Sequence, residues 1–305
     1  MIPILTEARW RTLAPGQVCR ILAVDPVTGS RRVVLESADV AFESPNWTPD
    51  GRWIIVNAAG ALYRVPASGG SATRIPSGSI DDHNNDHLVS RDGTTIFSSS
   101  ETSGHLYAVP LEGGETVRVS PDRDGVFGYF LQGQSPSGSV LSFTGAERRD
   151  GHDFVSSLHV LDLETSDVVR LSPWSADSVG CDWSPDGQWL YFSSELGADS
   201  IGHAQVHRMR PDGSGVERLT DDERVNWFPK VSPDGNLVVY LSFPPATVGH
   251  ASDVDVVIRS MTPDGRERRD VARFVGGQGT MNMNSWAPTS AEFACISYDT
   301  TGTGT

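Results

Sequence analysis

Lysine and cysteine are almost absent from this chain, and each scarcity excludes something. There are only three cysteines among 305 residues, and the sole lysine is Lys230. Three is too few, and an odd number, for the disulfide scaffold of a small secreted domain. Because 39 acidic residues outnumber 24 basic ones, the formal net charge is −15. A charge of that sign argues against a nucleic acid partner.

Long apolar runs and the familiar nucleophile motifs are also missing. No stretch of about 18 apolar residues occurs, so the sequence predicts no membrane-spanning helix. The first ten residues lack the basic-then-apolar order of a secretory signal, and we therefore expect a cytoplasmic protein. There is no Gly-x-Ser-x-Gly elbow, no His-Glu-x-x-His and no Cys-x-x-Cys. A Ser-His-Asp set, which is defined by geometry rather than spacing, stays open.

What the chain does contain is a repeated Ser-Pro-Asp-Gly turn. Intact and degenerate copies occupy residues 46–51, 87–93, 134–138, 182–187, 230–235 and 285–290. Proline presets φ for a turn and glycine tolerates positive φ, so each copy should end one strand and precede the next. The copies recur at roughly 40–55 residues, which is the period of a four-stranded propeller blade. Six copies therefore predict six blades.

A second repeat, a strand followed by a glycine-rich turn and another strand, comes after most copies of the first. It is clearest at residues 62–75 and 106–119, and looser at 158–171, 206–219 and 256–271. Each terminus supplies two strands, so residues near 18–36 and 284–298 are predicted to share one closing blade. The sequence thus predicts an all-β, six-bladed β-propeller with four-stranded antiparallel blades, as a single domain over residues 1–305. An open β-sandwich is the alternative.

These turn units resemble those of TolB-type six-bladed propellers over essentially the whole chain. Segments 84–87, 226–229, 249–250 and 276–280 resemble those of stand-alone bacterial TolB-like proteins, which lack the amino-terminal domain of TolB. Two positions depart from that group. Ala251 follows His250 where proline is frequent, and Lys230 stands where histidine is frequent. Oligogalacturonate lyase, a metal-dependent seven-bladed enzyme, is similar in architecture only, because its His-and-Gln metal motif is not found in this chain.

Polar residues concentrate on one face of the predicted ring, which we call the loop face. It carries the segments that lead into each inner strand and those that join the second strand of a blade to the third. The Ser-Pro-Asp-Gly turns lie on the opposite face, which we call the turn face. Six of the eight histidines fall on or near the loop face: His83, His87, His105, His152, His203 and His250. Loops on a rigid scaffold commonly carry function.

The densest polar cluster is residues 81–87, Asp-Asp-His-Asn-Asn-Asp-His, which leads into the second blade. Imidazole and carboxylate together suit a divalent transition metal, so His83, His87 and Asp86 are candidate metal ligands. Direct contact with a bound ligand is a second interpretation. Turn formation by the Asp and Asn side chains, with exposed histidines, is a third.

Two further segments are expected near the central channel. Residues 276–280, Gly-Gly-Gln-Gly-Thr, are predicted to turn tightly at the channel mouth, with the amide of Asn282 just beyond them. A phosphate-binding loop is the alternative interpretation of this segment, although no helix is predicted to follow it. Trp227 is either a platform for a sugar ring or a packing residue.

Two classes of function remain. In the first, the propeller binds a small polar, carbohydrate-like ligand at the channel mouth, and as an enzyme it would be a lyase or hydrolase. The candidates for acid/base or charge-stabilising roles are then His87, His250 and Lys230. The candidates for ligand binding are Asn85, Asp86, Asn226, Trp227, Gln278 and Asn282. In the second class, the propeller is a non-catalytic scaffold for a protein partner. A deep funnel would favour the first class and a flat acidic rim the second.

Overall fold

The computed structural model describes residues 10–148 and 155–300. These residues form six antiparallel sheets arranged as a ring, which confirms the predicted all-β, six-bladed propeller. The first strand of each complete blade lies innermost, where it contacts the first strands of the neighbouring blades. No helix in the described part of the chain is long and apolar enough to cross a membrane.

The strands follow the chain blade by blade. The first two are β1 (Cys19–Val24) and β2 (Arg31–Ser37). Blade one contains β3 (Glu43–Trp47), β4 (Trp53–Ala58), β5 (Ala61–Pro66) and β6 (Thr73–Ile75). Blade two contains β7 (His83–Val89), β8 (Thr95–Ser100), β9 (Leu106–Pro110) and β10 (Val117–Arg118). Blade three contains β11 (Phe127–Gln134), β12 (Val140–Glu147), β13 (Val155–Asp162) and β14 (Val168–Arg170).

The second half of the ring repeats this order. Blade four contains β15 (Ser178–Trp183), β16 (Leu190–Ser194), β17 (Gln205–Met209) and β18 (Glu217–Arg218). Blade five contains β19 (Val225–Val231), β20 (Val238–Phe243), β21 (Ser252–Met261) and β22 (Arg269–Gly277). The last strand is β23 (Phe293–Ser297), which pairs with β1.

The closing blade joins the two ends of the described chain, as the sequence predicts. Its sheet has the order β2–β1–β23, in which Leu22 pairs with Cys295. The innermost position is held by Trp286, which makes an isolated bridge to Phe293 instead of a full strand. The ring is therefore closed by three strands and one bridge, because the segment before Trp286 turns into the channel.

The Ser-Pro-Asp-Gly turns recur because one hydrogen-bond pattern requires these residues. After β15, Ser184 Oγ donates to Asp186 Oδ1 at 2.6 Å, and the same oxygen accepts from the backbone N–H of Gln188 at 3.0 Å. Gly187 has a φ of 71°, which favours glycine. Matching 2.6 Å bonds join Thr48 to Asp50, Ser90 to Asp92 and Ser232 to Asp234. The motif is thus a requirement of the turn and does not by itself mark a site.

The inner strands break register at equivalent points, and this break shapes the channel. In β7, His83 pairs with Ser100 and His87 with Ser98, so the residues between the two histidines form a bulge against one residue of β8. Similar irregularities interrupt β3, β11, β15 and β19. A bulge bends its strand and re-aims side chains. Here it turns the segments between paired positions toward the ring axis.

Candidate functional site

A cavity of about 550 Å³ occupies the loop-face end of the central channel. The bulged segments of the inner strands supply much of its wall. Counting six residues back from the proline position of each turn gives Glu43, Asn85, Phe130, Val179, Trp227 and Asn282. Five of these six line the cavity; in blade five, the lining residue is Phe228 instead of Trp227. One repeat position therefore builds the wall in five of the six blades, and its neighbour does so in blade five.

Three acidic side chains face the cavity: Glu43, Asp86 and Glu101. Burial raises the pKa of Glu43 to about 7, although the Arg11 guanidinium opposes that rise. Burial, assisted by the negative charge of Glu101, raises the pKa of Asp86 to about 7. Burial also raises the pKa of Glu101, with a contribution from Asp82. The cavity thus concentrates acidic groups whose charge the protein compensates incompletely.

Amide and hydroxyl groups surround these acids. The carboxyl of Asp86 is hydrogen-bonded by the side chains of Asn282 and Gln132, and its backbone N–H donates to Asn84 Oδ1 at 2.9 Å. Several buried polar atoms have no hydrogen-bond partner in the protein. Those on cavity-lining residues are Arg11 Nε, Gln132 Oε1, Thr144 Oγ1 and Gln278 Oε1. Such atoms are costly unless water or a ligand satisfies them.

Arg11 brings a guanidinium group to the cavity, and two of its three nitrogens already have partners. Nη2 donates to Asp253 Oδ1 at 2.5 Å, and Nη1 donates to the backbone oxygen of Gln278 at 3.1 Å. The guanidinium carbon also lies 3.5 Å from the centroid of the Tyr298 ring. These contacts fix Arg11 between Tyr298, which follows β23 of the closing blade, and blade five, at the edge of the site.

The remaining wall is aromatic. Trp10, Phe130 and Phe228 line the cavity together with His250. The His250 ring centroid lies 4.9 Å from that of Phe228 and 4.6 Å from that of Trp227. Burial lowers the pKa of His250 to about 4, so its imidazole is neutral at pH 7.

Lys230 lies deeper in the channel and does not line the cavity. Its side chain is fully buried, and Nζ has no hydrogen-bond partner. Burial lowers its pKa, while the neighbouring Asp182, Cys181 and Asp86 side chains oppose the change. The ammonium group thus acts electrostatically on Asp86 from beneath the cavity.

A second, smaller cavity of about 240 Å³ lies toward the turn face. Gln132 lines both cavities, and Asp182 lines the second. Asn284 Nδ2 donates to Asp182 Oδ2 at 2.8 Å, and Asn46 Nδ2 donates to the backbone oxygen of Asn284 at 2.5 Å. This network joins three blades across the channel. Together with Lys230, it lies between the loop-face cavity and the turn-face cavity.

The structure brings together five of the residues predicted for the site: Asn85, Asp86, His250, Gln278 and Asn282 all line the cavity. The prediction for His87 is wrong in position. His87 resumes the β-ladder opposite Ser98, so its ring is fully buried and faces away from the cavity. Lys230 is close to the site but does not line it. The strand β19 resumes its pairing at Lys230, opposite Val239, and the side chain is fully buried. His152 lies outside the described residues.

Two other predicted binding residues prove to be structural. Asn226 is fully buried, and its Nδ2 donates to Gln205 Oε1 at 3.0 Å while Ser242 Oγ donates to its Oδ1 at 2.7 Å. Trp227 is buried in the hydrophobic core, so of its two interpretations the structure supports packing and not a sugar platform. The bulge in β19 presents Phe228, with a φ of 54°, to the cavity instead.

The proposed metal ligands do not converge. Asp86 faces the cavity, whereas His83 Nδ1 lies 2.7 Å from Ser98 Oγ and His87 is buried on the other side of the strand. Across residues 10–148 and 155–300, no group of three or more His, Cys, Asp or Glu side chains is arranged to hold a metal ion. The bulge between the two histidines is what separates them from Asp86.

Sequence reasoning missed the acidic and amide residues that define the site, namely Glu43, Glu101, Gln132 and Thr144. The repeat could have revealed Glu43, because it occupies the same position relative to its turn as Asn85 and Asn282. Glu101 follows the second strand of blade two and Thr144 lies within the second strand of blade three, and no local signal singles them out.

Relatives are found both by sequence and by structure. No protein-family model matches the chain. It is 34% identical over 275 residues to the uncharacterised protein Atu1656 of Agrobacterium fabrum, and the match covers 89% of each chain. A solved TolB-like protein from Agrobacterium tumefaciens superimposes with a TM-score of 0.83 at 33% identity. That match covers 93% of this chain and 99% of the other.

Two more distant structures share the fold alone. TolB from Acinetobacter baumannii has a TM-score of 0.62 at 20% identity, covering 86% of this chain and 65% of the other. An oligogalacturonate lyase in complex with manganese has a TM-score of 0.57 at 17% identity, covering 90% and 77%. Ring architecture, turn chemistry and near full-length similarity agree, and the chain belongs to the family of TolB-like six-bladed propeller proteins.

Proposed function

We propose that this protein binds a small polar ligand of carbohydrate type in the loop-face cavity. A volume of about 550 Å³ lies within the range of roughly 300–1,000 Å³ common for small-molecule sites. The cavity is recessed in the ring and combines aromatic walls with a few convergent polar groups, which is the usual composition of such sites. A recess of this kind favours a small ligand over the alternative of a protein scaffold.

The observation that carries this proposal is the set of buried polar atoms without partners on the cavity wall. Gln132 and Thr144 are each nine-tenths or more buried, yet Gln132 Oε1 and Thr144 Oγ1 have no hydrogen-bond partner. A hydroxylated ligand would satisfy both, and aromatic rings such as Phe130 and Phe228 would pack on its apolar faces.

If the bound ligand is also transformed, the acid/base groups are Asp86 and Glu43. Their pKa values, both raised to about 7, suit general acid catalysis near neutral pH. His250 is neutral at that pH and sits in the wall, where it would accept a hydrogen bond or a proton. This arrangement replaces His87 and Lys230 as candidates for proton transfer.

Titration calorimetry with β-1,4-linked disaccharides tests the proposal. We expect at least one of them to bind wild type, and Gln132→Met to weaken binding about tenfold, the equivalent of one lost hydrogen bond. Gln188→Met is the matched control, because Gln188 is exposed on a turn-face loop. Absence of binding at about 10 mM disaccharide, or equal affinity in wild type and Gln132→Met, would contradict the proposal.

A further inference from the structure

The balance of charge in the loop-face cavity is strongly one-sided. Glu43, Asp86 and Glu101 all reach it; Glu43 is in β3, Asp86 is in β7 and Glu101 directly follows β8. Arg11 is the one basic side chain on the wall among the described residues, and Asp253 already neutralises it. The cavity therefore presents more negative than positive charge to anything that enters.

The other cationic candidates near the acids do not correct this imbalance. Lys230 is sealed beneath the cavity, where it also faces Asp182, and it has no contact with the cavity space. His250 is on the wall, but its pKa is lowered to about 4 by burial, so it carries no charge at pH 7. An acidic ligand such as a uronate would meet three carboxyl groups and one cation, Arg11, which is already paired with Asp253.

The hydrogen-bonding groups point the same way. The unpartnered amide atoms on the wall, Gln132 Oε1 and Gln278 Oε1, are both acceptors. The side-chain NH2 group of Gln132 donates to the carboxyl of Asp86, and Gln132 Oε1 is left without a partner. Of the other unpartnered wall atoms, Thr144 Oγ1 can accept or donate, and Arg11 Nε is a donor at the edge of the site. The three carboxyl groups and the two amide oxygens thus favour a ligand that brings donors. A protonated amine supplies three donors and no acceptor.

The aromatic wall completes this pattern. Phe130 and Phe228 line the cavity together with Trp10. A ring face attracts a cation within about 6 Å, and Trp, Tyr and Phe are the residues that do so. Carboxylates beside aromatic rings are thus a suitable environment for an ammonium group on an otherwise hydroxylated molecule.

Resting on the proposed function, we propose that the carbohydrate-type ligand carries a protonated amine, which Asp86 and Glu43 bind while Gln132 and Thr144 contact its hydroxyl groups. The ligand class is thus an amino sugar. Neutral and acidic sugars of the same size should bind less tightly.

Proton release gives this inference an independent readout. An ammonium group beside Asp86 and Glu43 favours their ionised forms and so lowers their pKa values from about 7. Glu101, Lys230 and Arg11 already act electrostatically on Asp86 or Glu43, and their charges are the same with and without ligand. Binding near pH 7 should therefore release protons. Calorimetry in two buffers with different ionisation enthalpies measures that release.

The decisive comparison uses three β-1,4-linked disaccharides, those of glucosamine, glucose and glucuronate. The first and the last each differ from the glucose disaccharide in one group per ring. We expect the glucosamine disaccharide to bind at least about tenfold more tightly than the glucose disaccharide, and to release protons. We expect the glucuronate disaccharide to bind least tightly. Asp86→Asn and Glu43→Gln should each remove most of the preference for the amine, whereas Asp39→Asn, on the exposed surface, should leave it unchanged.

The outcomes separate the two proposals. If the glucose disaccharide binds as tightly as the glucosamine disaccharide, the proposed function stands and the amine assignment is overturned. If the glucuronate disaccharide binds best, the amine assignment is again overturned. If none of the three binds at about 10 mM, the proposed function itself fails.

Discussion

Asn284 and Asp182, which are 102 residues apart in the chain, meet across the channel through a hydrogen bond of 2.8 Å from Nδ2 to Oδ2. The same amide nitrogen also donates to the backbone oxygen of Val231 at 3.1 Å. Asp182 is almost fully buried, so its carboxyl depends on such partners. This contact ties the closing segment to blades four and five at the point where the ring has only a bridge instead of a strand.

The first prediction concerns this contact. Asn284→Ala should lower the free energy of unfolding by about 1–3 kcal/mol, because it leaves the buried carboxyl of Asp182 without its donor. Chemical denaturation measures the change. Asn236→Ala is the control, since Asn236 donates to Asp234 on an exposed turn, and it should cost less than about 0.5 kcal/mol. Equal losses in the two variants would show that the cross-channel bond does not stabilise closure.

The second prediction concerns pH and Asp86. The folded state raises the pKa of Asp86 from 3.8 to about 7, so the folded protein binds the proton more tightly than the unfolded chain. Its contribution to stability therefore falls as pH rises between about 4 and about 7. Asp86→Asn removes this penalty and should stabilise the protein by about 2–4 kcal/mol at about pH 8, and by little at about pH 4.

Denaturation of both proteins at the two pH values checks this expectation. Asp39→Asn, at an exposed position, is the control and should show the same pH dependence as wild type. A stabilisation by Asp86→Asn that does not vary with pH would mean that the Asp86 carboxyl is not protonated in the folded cavity at low pH.

The third prediction concerns His87, whose ring is fully buried. His87→Ala should lower the free energy of unfolding by about 2–4 kcal/mol, because it leaves a core void, and should leave disaccharide affinity within about twofold. Burial lowers the pKa of His87 from its ordinary value of 6.5 to about 4. The folded state thus resists protonation, and the contribution of His87 to stability is lost as pH falls from about 6.5 toward about 4.

Affinity and unfolding measured on the same His87→Ala sample separate structure from function. Gln188→Met, at an exposed position on a turn, is the control and should unfold much like wild type. Loss of ligand binding with unchanged stability would restore His87 as a site residue and contradict its placement away from the cavity.

How far the sequence predicts this molecule depends on which interactions are local. The turn signal is local, since Ser184 hydrogen-bonds Asp186 within the turn and Gly187 adopts the positive φ that the turn requires. Ring architecture and blade number therefore followed from spacing alone. The site depends on where strands break register, and that is decided by packing between blades. His83 and His87 appeared equivalent to Asp86 in the sequence, but the β7 bulge separates them.

The fourth prediction concerns Lys230 and Asp86, which interact electrostatically beneath the cavity. Lys230→Met should destabilise the protein by about 3–5 kcal/mol at about pH 8, because it leaves the buried acids Asp86 and Asp182 without a cation. The loss should be smaller at about pH 4, where Asp86 is protonated in the folded state. The double variant Lys230→Met/Asp86→Asn should recover part of the stability. Strictly additive effects would show that the two side chains do not interact.

The fifth prediction concerns the thiols. Cys19, Cys181 and Cys295 are free and buried, and burial raises the pKa of Cys19 and Cys181 to about 12 and raises that of Cys295 further. Native protein should therefore show no fast-reacting thiol, and protein denatured without reductant should show three. Finding only one thiol after denaturation would indicate a disulfide. The cytoplasmic location expected from the sequence stays a prediction.

The central claim is that the loop-face cavity holds a ligand through Gln132, Thr144 and the acids around them. A crystal structure of the protein soaked with the glucosamine disaccharide tests this most directly. We expect sugar density in the cavity, with hydroxyl groups at hydrogen-bond distance from Gln132 Oε1 and Thr144 Oγ1 and an amine beside Asp86. Density for ordered water alone, satisfying those same atoms while the sugar is absent or bound elsewhere, would contradict it.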